Sequence, residues 1–228
     1  MLSARPATLF AFTPNLDGDF IRERPVEALK SGNFARVPVL FGFNSNEGSG
    51  WSEHLADPSA NTSMPDATEA TVFNFLRGQY PRLRHASFND AVKLYPLKDY
   101  ANSFSLQGQQ MYSECRYVCT APMITGTAIT KSSKVFQYQW ESFLHKLDAR
   151  LIALSSSYDN PHLGSSHKAD LEAFFGPTSN SSANTDDLAL FAAMREYWTS
   201  FVTTGQPSAN NGIAWKVHTL ISLLPPKY

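Results

Sequence analysis

One carboxylate in this sequence occupies a position where functional residues are often found. Glu47 lies in the segment GFNSNEG at 42–48, directly after the apolar run VPVLFGF at 37–43. A continuous apolar run is typical of a strand covered on both faces of a parallel sheet. Functional groups gather just beyond the carboxyl ends of such strands, so Glu47 is a candidate functional residue. The alternative is a solvated loop carboxylate, because glutamate is rarely buried.

A histidine that could work with this carboxylate follows much later in the chain. His167 lies in the segment NPHLGSSHKADL at 160–171. Histidine is the usual general base because its pKa lies near neutral pH. An acceptor at one ring nitrogen would fix its tautomer, and Glu47 could be that acceptor. The alternatives are a surface or structural role for His167, and His162 as the base instead.

The order of these two residues fits one type of catalytic machinery and leaves part of it missing. A carboxylate followed by a histidine matches the α/β-hydrolase order of serine, then acid, then histidine. However, the 228 residues contain neither a Gly-x-Ser-x-Gly motif nor a His-Gly-Gly-Gly loop. The triplet Gly-Ser-Gly at 48–50 lacks the required spacing, and Ser165 and Ser166 are predicted to lie in a loop. The sequence therefore predicts an acid–base pair without a nucleophile.

Two predicted strands would position the pair. The run 37–43 is expected to be a buried strand, with Pro38 at its entrance. The segment VFQYQW at 135–140 alternates, so we expect a half-buried strand with its aromatic residues on one face. Open sheets usually have about four to six strands. The sequence offers two long strands plus fragments, which are too few for such a sheet.

Helical patterns occupy most of the chain between and after these strands. Segments 69–80, 87–95 and 106–130 are predicted to be mainly helical, with breaks at Pro81 and Pro96. The clearest helix covers 186–203, capped by Thr185 or Asp186 and stopped by Gly205 and Pro207; its 3.6-residue period is carried by Leu190, Phe191, Met194, Tyr197, Trp198, Phe201 and Val202. Strand, helices, strand and helix form the pattern of an α/β fold.

Composition limits the function classes. The chain is 43% hydrophobic and 17% charged, with a formal net charge of −1. These values indicate a folded protein with a sizeable core and predict no nucleic-acid partner. No apolar run reaches the length of about 20 residues that a membrane span requires, and no signal-peptide pattern opens the chain. We expect a single domain over 1–228.

Three further features carry little chemistry. Cys115 and Cys119 are four residues apart, an awkward spacing for a mutual disulfide, and are expected to be buried or free thiols. Two cysteines with no nearby histidine pair are also too few for a structural zinc site. We expect no metal and no cofactor. Asn61 and Asn180 head glycosylation sequons in two predicted surface loops, 56–66 and 177–187.

Four blocks in order resemble the C-terminal part of the type-B carboxylesterase/lipase family, which includes cholinesterases and fungal lipases. FTPNLDGDFI at 12–21 resembles the family's P-x-x-D-G-x-F segment, and 39–49 resembles its strand and E-G turn. The segment 160–171 resembles the H-G-x-[DE]-[LI] block, and 197–207 the W-x-x-F-x-x-x-G-x-P helix end. Within these blocks, LGSSH at 163–167 and FVTTGQP at 201–207 look most like fungal members. The resemblance covers about residues 9–224.

The resemblance implies the C-terminal portion of an α/β-hydrolase fold with an incomplete sheet. It implies carboxylic-ester hydrolysis by a Ser-His-Glu mechanism, with Glu47 as triad acid and His167 as triad base. A small ester or a lipid would be the substrate of the complete enzyme. Members of the family are often secreted.

Two departures from the family pattern matter. Lys168 stands where the family usually has glycine after the histidine, which would crowd the loop or change the charge at the entrance. The family's N-terminal half, with its serine and oxyanion glycines, has no counterpart here.

Three interpretations follow from these departures. The first is a truncated, inactive copy of a carboxylesterase. The second is a fragment completed by a separate N-terminal half. The third is a non-catalytic binding or adhesion protein on an esterase-like fold.

Overall fold

A computed structural model describes seven segments of the chain: 7–10, 12–53, 55–131, 134–141, 165–176, 183–210 and 212–217. Within them the regular elements are two strands, β1 (Val39–Asn44) and β2 (Val135–Trp140), seven α-helices, 3-10 turns at Val92–Leu94 and Leu97–Tyr100, and a π-helical turn at Glu114–Val118. The helices are α1 (Pro25–Ser31), α2 (Glu69–Gln79), α3 (His85–Ala91), α4 (Phe104–Ser113), α5 (Thr120–Thr130), α6 (Leu171–Phe175) and α7 (Thr185–Thr204).

The two strands pair in parallel. Val39 lies opposite Val135 and Asn44 lies opposite Trp140, so the strands share one register over their whole length. Parallel pairing requires a long crossover, and α2 to α5 all fall in the connection between β1 and β2. The predicted α/β class with a small, incomplete parallel sheet is confirmed.

The burial of the strands differs in part from the prediction. β1 begins two residues later than the predicted run, and all but its last residue are half-buried rather than covered on both faces. In the described part of the chain, β1 also has a hydrogen-bonded neighbour on one side only, so one of its edges is unpaired there. In β2, both Val135 and Phe136 are fully buried although they point to opposite faces, whereas Gln139 is exposed.

The chain divides into two compact units, each with its own core. The first comprises Met1–Asn15 and Gly48–Arg116 and contains α2, α3 and α4. Phe75 of α2 and Tyr112 of α4 are both fully buried, and their ring centroids lie 5.3 Å apart. Helix α2 begins at a reciprocal cap, in which the Thr71 hydroxyl accepts from the Thr68 backbone N–H at 3.0 Å.

The second unit comprises Leu16–Glu47 and Tyr117–Tyr228 and contains the sheet with α1, α5, α6 and α7. One part of its core joins β2 to the last two helices through buried side chains of Trp140, Ala173, Phe191 and Met194. Phe174 of α6 packs edge-on against Trp198 of α7, at 4.8 Å between centroids. These contacts place α6, which begins shortly after His167, against the sheet.

The helix predictions hold with local corrections. The predicted helical stretch 106–130 is divided by a π-helical turn at Glu114–Val118, and the predicted stretch 87–95 ends as a 3-10 turn at Val92–Leu94. Helix α1 was not predicted.

Helix α7 is capped by Asn184, not by Thr185 or Asp186. The Asn184 side chain accepts from the backbone N–H groups of Asp186 and Asp187, and Asp187 accepts from the Asn184 N–H. Gly205 ends the helix with a φ of +71°, as predicted. Of the residues that carry its period, Leu190 and Val202 lie at the margin of the apolar face and are exposed.

Candidate active site

Glu47 and His167 meet at the carboxyl end of β1, although 120 residues separate them. The Nδ1 atom of His167 lies 2.5 Å from Oε2 of Glu47. The Glu47 side chain is 6% exposed and that of His167 is 30% exposed. Glu47 is therefore a buried acceptor for the imidazole and not a solvated loop carboxylate.

The second oxygen of Glu47 is held by Asn44, the last residue of β1. Oε1 of Glu47 accepts from the Asn44 backbone N–H at 2.7 Å and from its side-chain amide at 3.2 Å. A buried carboxylate requires such donors, because an unpaired charge is costly away from water. Asn44 thus fixes the carboxylate from the strand that precedes it, and Oε2 remains directed at the histidine.

A short ladder of hydrogen bonds brings the histidine segment to this end of the sheet. The Asn46 N–H donates to the carbonyl of Ser165 at 2.8 Å, and the Ser165 N–H donates to the hydroxyl of Ser45 at 2.7 Å. Ser45 in turn donates its N–H to the carbonyl of Trp140 at 2.9 Å. The parallel pairing therefore continues past both strands, and it sets His167 beside Glu47.

Two residues next to His167 shape its surroundings. The ring of Tyr117, in the π-helical turn, lies 5.0 Å from the imidazole at an angle of 42°. Lys168 has a φ of +74°, in the left-handed region that L-residues rarely occupy. This conformation explains why the family pattern has glycine there, and it shows that Lys168 is tolerated at a conformational cost.

The turn after Glu47 also depends on a glycine. A Cβ on Gly48 would lie 1.9 Å from the carbonyl oxygen of Gln109, closer than any real contact. Glycine is therefore required at this point of the E-G turn by close backbone packing.

Sequence reasoning did not identify four residues of the site. Asn44 and Tyr117 carry no local signal of a site role, and Tyr138 was read only as an aromatic position of a half-buried strand. Asp170 carries a weak signal, since it occupies the acidic position of the H-G-x-[DE]-[LI] block. In the structure, Asp170 accepts from the amide of Asn44 at 3.3 Å and from the Tyr138 hydroxyl at 3.0 Å.

The arrangement suits proton transfer. With Nδ1 protonated and donating to Glu47, Nε2 of His167 carries the lone pair that can take a proton from a substrate or a nucleophile. The buried carboxylate stabilises the imidazolium that results.

Several sequence predictions concern residues elsewhere. His162 and Asn180 lie outside the described residues. Asn61 is described, and its side chain bonds the Leu55 carbonyl and the Ser63 hydroxyl. Cys115 and Cys119 form no disulfide, as expected, and both are exposed, so of the two expected alternatives the buried thiol is excluded.

The described segments hold neither a cluster of metal-ligating side chains nor a membrane-spanning helix. In these segments no three His, Cys, Asp or Glu side chains are grouped so as to hold a metal ion. Nor do they contain a helix with both the length and the apolar character needed to cross a membrane.

Known proteins resemble this chain over most of its length. It is 27% identical to the Acetylcholinesterase of Bungarus fasciatus over 221 residues, which are 92% of this chain and 34% of that protein. It is 24% identical to the Bile salt-activated lipase of Bos taurus over 223 residues, 92% of this chain and 35% of the lipase. Neuroligin-3 of Mus musculus is 23% identical over 212 residues, 87% of this chain and 24% of that protein. The chain thus spans about a third of the length of the cholinesterase and the lipase.

The family itself follows from a profile match. The sequence profile of the carboxylesterase family matches residues 1–221, and the cholinesterase and lipase relatives agree with it. The expected closeness to fungal members stays a prediction. The chain belongs to the carboxylesterase family, and its strands and helices form part of an α/β-hydrolase fold.

Proposed function

We propose that this chain supplies the acid–base pair of a serine-dependent carboxylic-ester hydrolase. The observation that carries the proposal is the 2.5 Å contact between Glu47 Oε2 and His167 Nδ1, with Glu47 buried and His167 partly open. Burial and two donors from Asn44 keep the carboxylate in one orientation. The substrate class is a small ester or a lipid, by family.

In this mechanism the chain handles protons and does not attack the substrate. Nε2 of His167 takes the proton of a serine hydroxyl as the hydroxyl oxygen attacks the ester carbonyl. His167 then returns the proton to the leaving alcohol, and Glu47 stabilises the charged imidazole in between. Water repeats the sequence to release the acid. The oxyanion is held by backbone N–H donors, each contributing about 2.7–4 kcal/mol.

The serine and the oxyanion donors must come from residues outside these 228, because the sequence has neither motif. We expect the purified chain to hydrolyse p-nitrophenyl butyrate negligibly and to remain unlabelled by a fluorophosphonate probe. Turnover at a normal esterase rate that His167→Ala abolishes would show that the nucleophile lies within the chain. Translating the coding DNA upstream of Met1 completes the test, since an in-frame Gly-x-Ser-x-Gly there is expected.

A second candidate is a non-catalytic binding or adhesion protein on an esterase-like fold. The similarity to Neuroligin-3 is compatible with it. The paired Glu47 and His167 favour the hydrolase, since a binding surface has no need of a buried carboxylate joined to a histidine. The test is a longer polypeptide that contains an in-frame Gly-x-Ser-x-Gly motif together with Glu47 and His167. If it neither hydrolyses esters nor reacts with the fluorophosphonate probe, the binding function is favoured.

A further inference from the structure

A second carboxylate reaches the site from the segment that follows His167. Asp170 directly precedes α6 and is its N-cap residue, a position where aspartate usually caps the helix by accepting from its first N–H groups. Its side chain makes no such bond. Instead, Oδ1 accepts from the Asn44 amide at 3.3 Å, and Oδ2 accepts from the Tyr138 hydroxyl at 3.0 Å. A local cap is thus replaced by contacts to both strands.

The Asn44 amide stands between two carboxylates. The same Nδ2 atom donates to Glu47 Oε1 at 3.2 Å and to Asp170 Oδ1 at 3.3 Å. If the amide were turned over, its oxygen would face both carboxylates and be repelled. Its own Oδ1 is buried without a hydrogen-bond partner in the described residues. The orientation of Asn44 is therefore maintained by the two carboxylates and not by a partner for its oxygen.

Tyr138 keeps Asp170 in place. Its ring lies across Gly42, the residue opposite it in β1, where a Cβ would come within 2.2 Å of the ring. Burial, and then the charge of Asp170, raise the pKa of the Tyr138 hydroxyl well above its ordinary value. The hydroxyl therefore stays a proton donor to Asp170 throughout the neutral range.

We propose that Asp170 is a positioning residue: it holds the Asn44 amide in the orientation that donates to Glu47, and thereby fixes the carboxylate that orients His167. The inference rests on the proposed function of the Glu47–His167 pair and deepens it. The link from Asp170 to Glu47 runs through the Asn44 amide, which donates to both carboxylates.

The test is proton NMR of the full 228-residue chain. The proton between His167 Nδ1 and Glu47 is expected to give a resonance far downfield of the amides, assigned by its loss in His167→Gln. In Asp170→Asn, which keeps size but removes the charge, we expect this resonance to move upfield and its exchange with water to accelerate at least threefold. Tyr138→Phe, which removes one donor to Asp170, should shift it in the same direction by less. Asp19→Asn, an exposed carboxylate of the same unit, is the matched control and should change nothing.

The outcomes separate the two proposals. An unchanged resonance and exchange rate in a folded Asp170→Asn would overturn the positioning role and leave the Glu47–His167 pair intact. Absence of the resonance from the unaltered chain would overturn the pair, and the positioning role with it. If Asp170→Asn does not fold, Tyr138→Phe decides: an unchanged resonance there contradicts the inference, and a shifted one supports it.

Discussion

Nδ1 of His167 and Oε2 of Glu47 lie 2.5 Å apart at the end of a parallel strand pair, and two further donors from Asn44 hold the other oxygen of Glu47. The buried carboxylate of Glu47 therefore forms hydrogen bonds with the imidazole of His167 and with the backbone of β1 at the same time. Changes at Glu47 should therefore affect folding as well as proton transfer, and the two roles can be separated by the choice of substituent.

Replacing Glu47 by alanine should destabilise the second unit. The Asn44 N–H would lose its acceptor in a buried place, while the Asn44 amide would keep Asp170 as an acceptor. A buried donor left unsatisfied costs about 1–3 kcal/mol. Glu47→Gln keeps an oxygen for Asn44 and should cost less. Urea unfolding of both variants measures the difference, and equal losses of stability would show that Asn44 does not depend on this acceptor.

Gly48→Ala should disrupt the turn that follows Glu47. The new Cβ would overlap the Gln109 carbonyl, at 1.9 Å in the present structure. Overpacking of this kind costs about 2–3 kcal/mol because backbone has to move. The effect is expected as a lowered midpoint in thermal unfolding followed by circular dichroism.

Gly50→Ala is the matched control for that change. Gly50 has a φ of +76° and nothing within 4 Å of its missing Cβ. The substitution should therefore cost only the left-handed strain, about 1 kcal/mol. A Gly48→Ala loss no larger than that of Gly50→Ala would contradict the steric argument.

The regular elements were predictable because each is specified by a local pattern. The alternation at 135–140 predicts β2 with the bounds that the structure has, and the 3.6-residue period predicts α7 to within one residue at each end. The Asn184 cap was missed although its signal, an Asn three residues before an Asp, is in the sequence. The predicted cap residue of α7 was therefore wrong, whereas the prediction of a helix was correct.

The site was predictable only in part, because most of its contacts join distant segments. The strand ending at Asn44 and the family blocks single out Glu47 and His167, but no periodicity shows that Asn44 and Asp170 share a hydrogen bond across 126 residues. The half-burial of β1 was also not predicted. An apolar run indicates a strand that is suited to burial, but it does not show how much of that strand the rest of the protein covers. The catalytic roles of Glu47 and His167 remain predictions.

Lys168→Gly should stabilise the protein. At a φ of +74°, Lys168 has a left-handed backbone conformation that is unfavourable for lysine but not for glycine, so it destabilises the folded state. Relief of about 1–2 kcal/mol is partly offset by the greater freedom of glycine in the unfolded chain, about 0.4–1 kcal/mol, so a net gain of about 0.5–1 kcal/mol is expected. Denaturant midpoints provide the measurement.

The control for Lys168 is alanine, which removes the ammonium and keeps the backbone penalty. Lys168→Ala should leave stability near that of the unaltered chain. If alanine stabilises as much as glycine does, the charge and not the backbone conformation is responsible.

Tyr138→Phe should make stability less sensitive to alkali. Burial first, and Asp170 second, raise the pKa of Tyr138 above the ordinary value of 10.0, so the folded state favours the neutral phenol. Above about pH 10 the unfolded chain loses this proton before the folded chain does, and the free energy of unfolding falls as pH rises. Phenylalanine cannot ionise. The variant should be less stable at neutral pH, by about 1.5–3 kcal/mol for a hydrogen bond to a charged group, yet lose less as the pH increases.

Urea midpoints from about pH 8 to about pH 11 test this slope, a range that spans the ordinary pKa of tyrosine. Tyr100, in the other unit, provides an independent comparison: burial chiefly, then Glu114 and Asp99, raise its pKa as well. Tyr100→Phe should therefore flatten the alkaline slope too, without altering the His167 resonance that Tyr138→Phe shifts. If the urea midpoints of the unaltered chain and of Tyr138→Phe fall equally with pH, the folded protein does not favour the neutral phenol. The argument that Tyr138 donates to Asp170 and keeps it in place would then be contradicted.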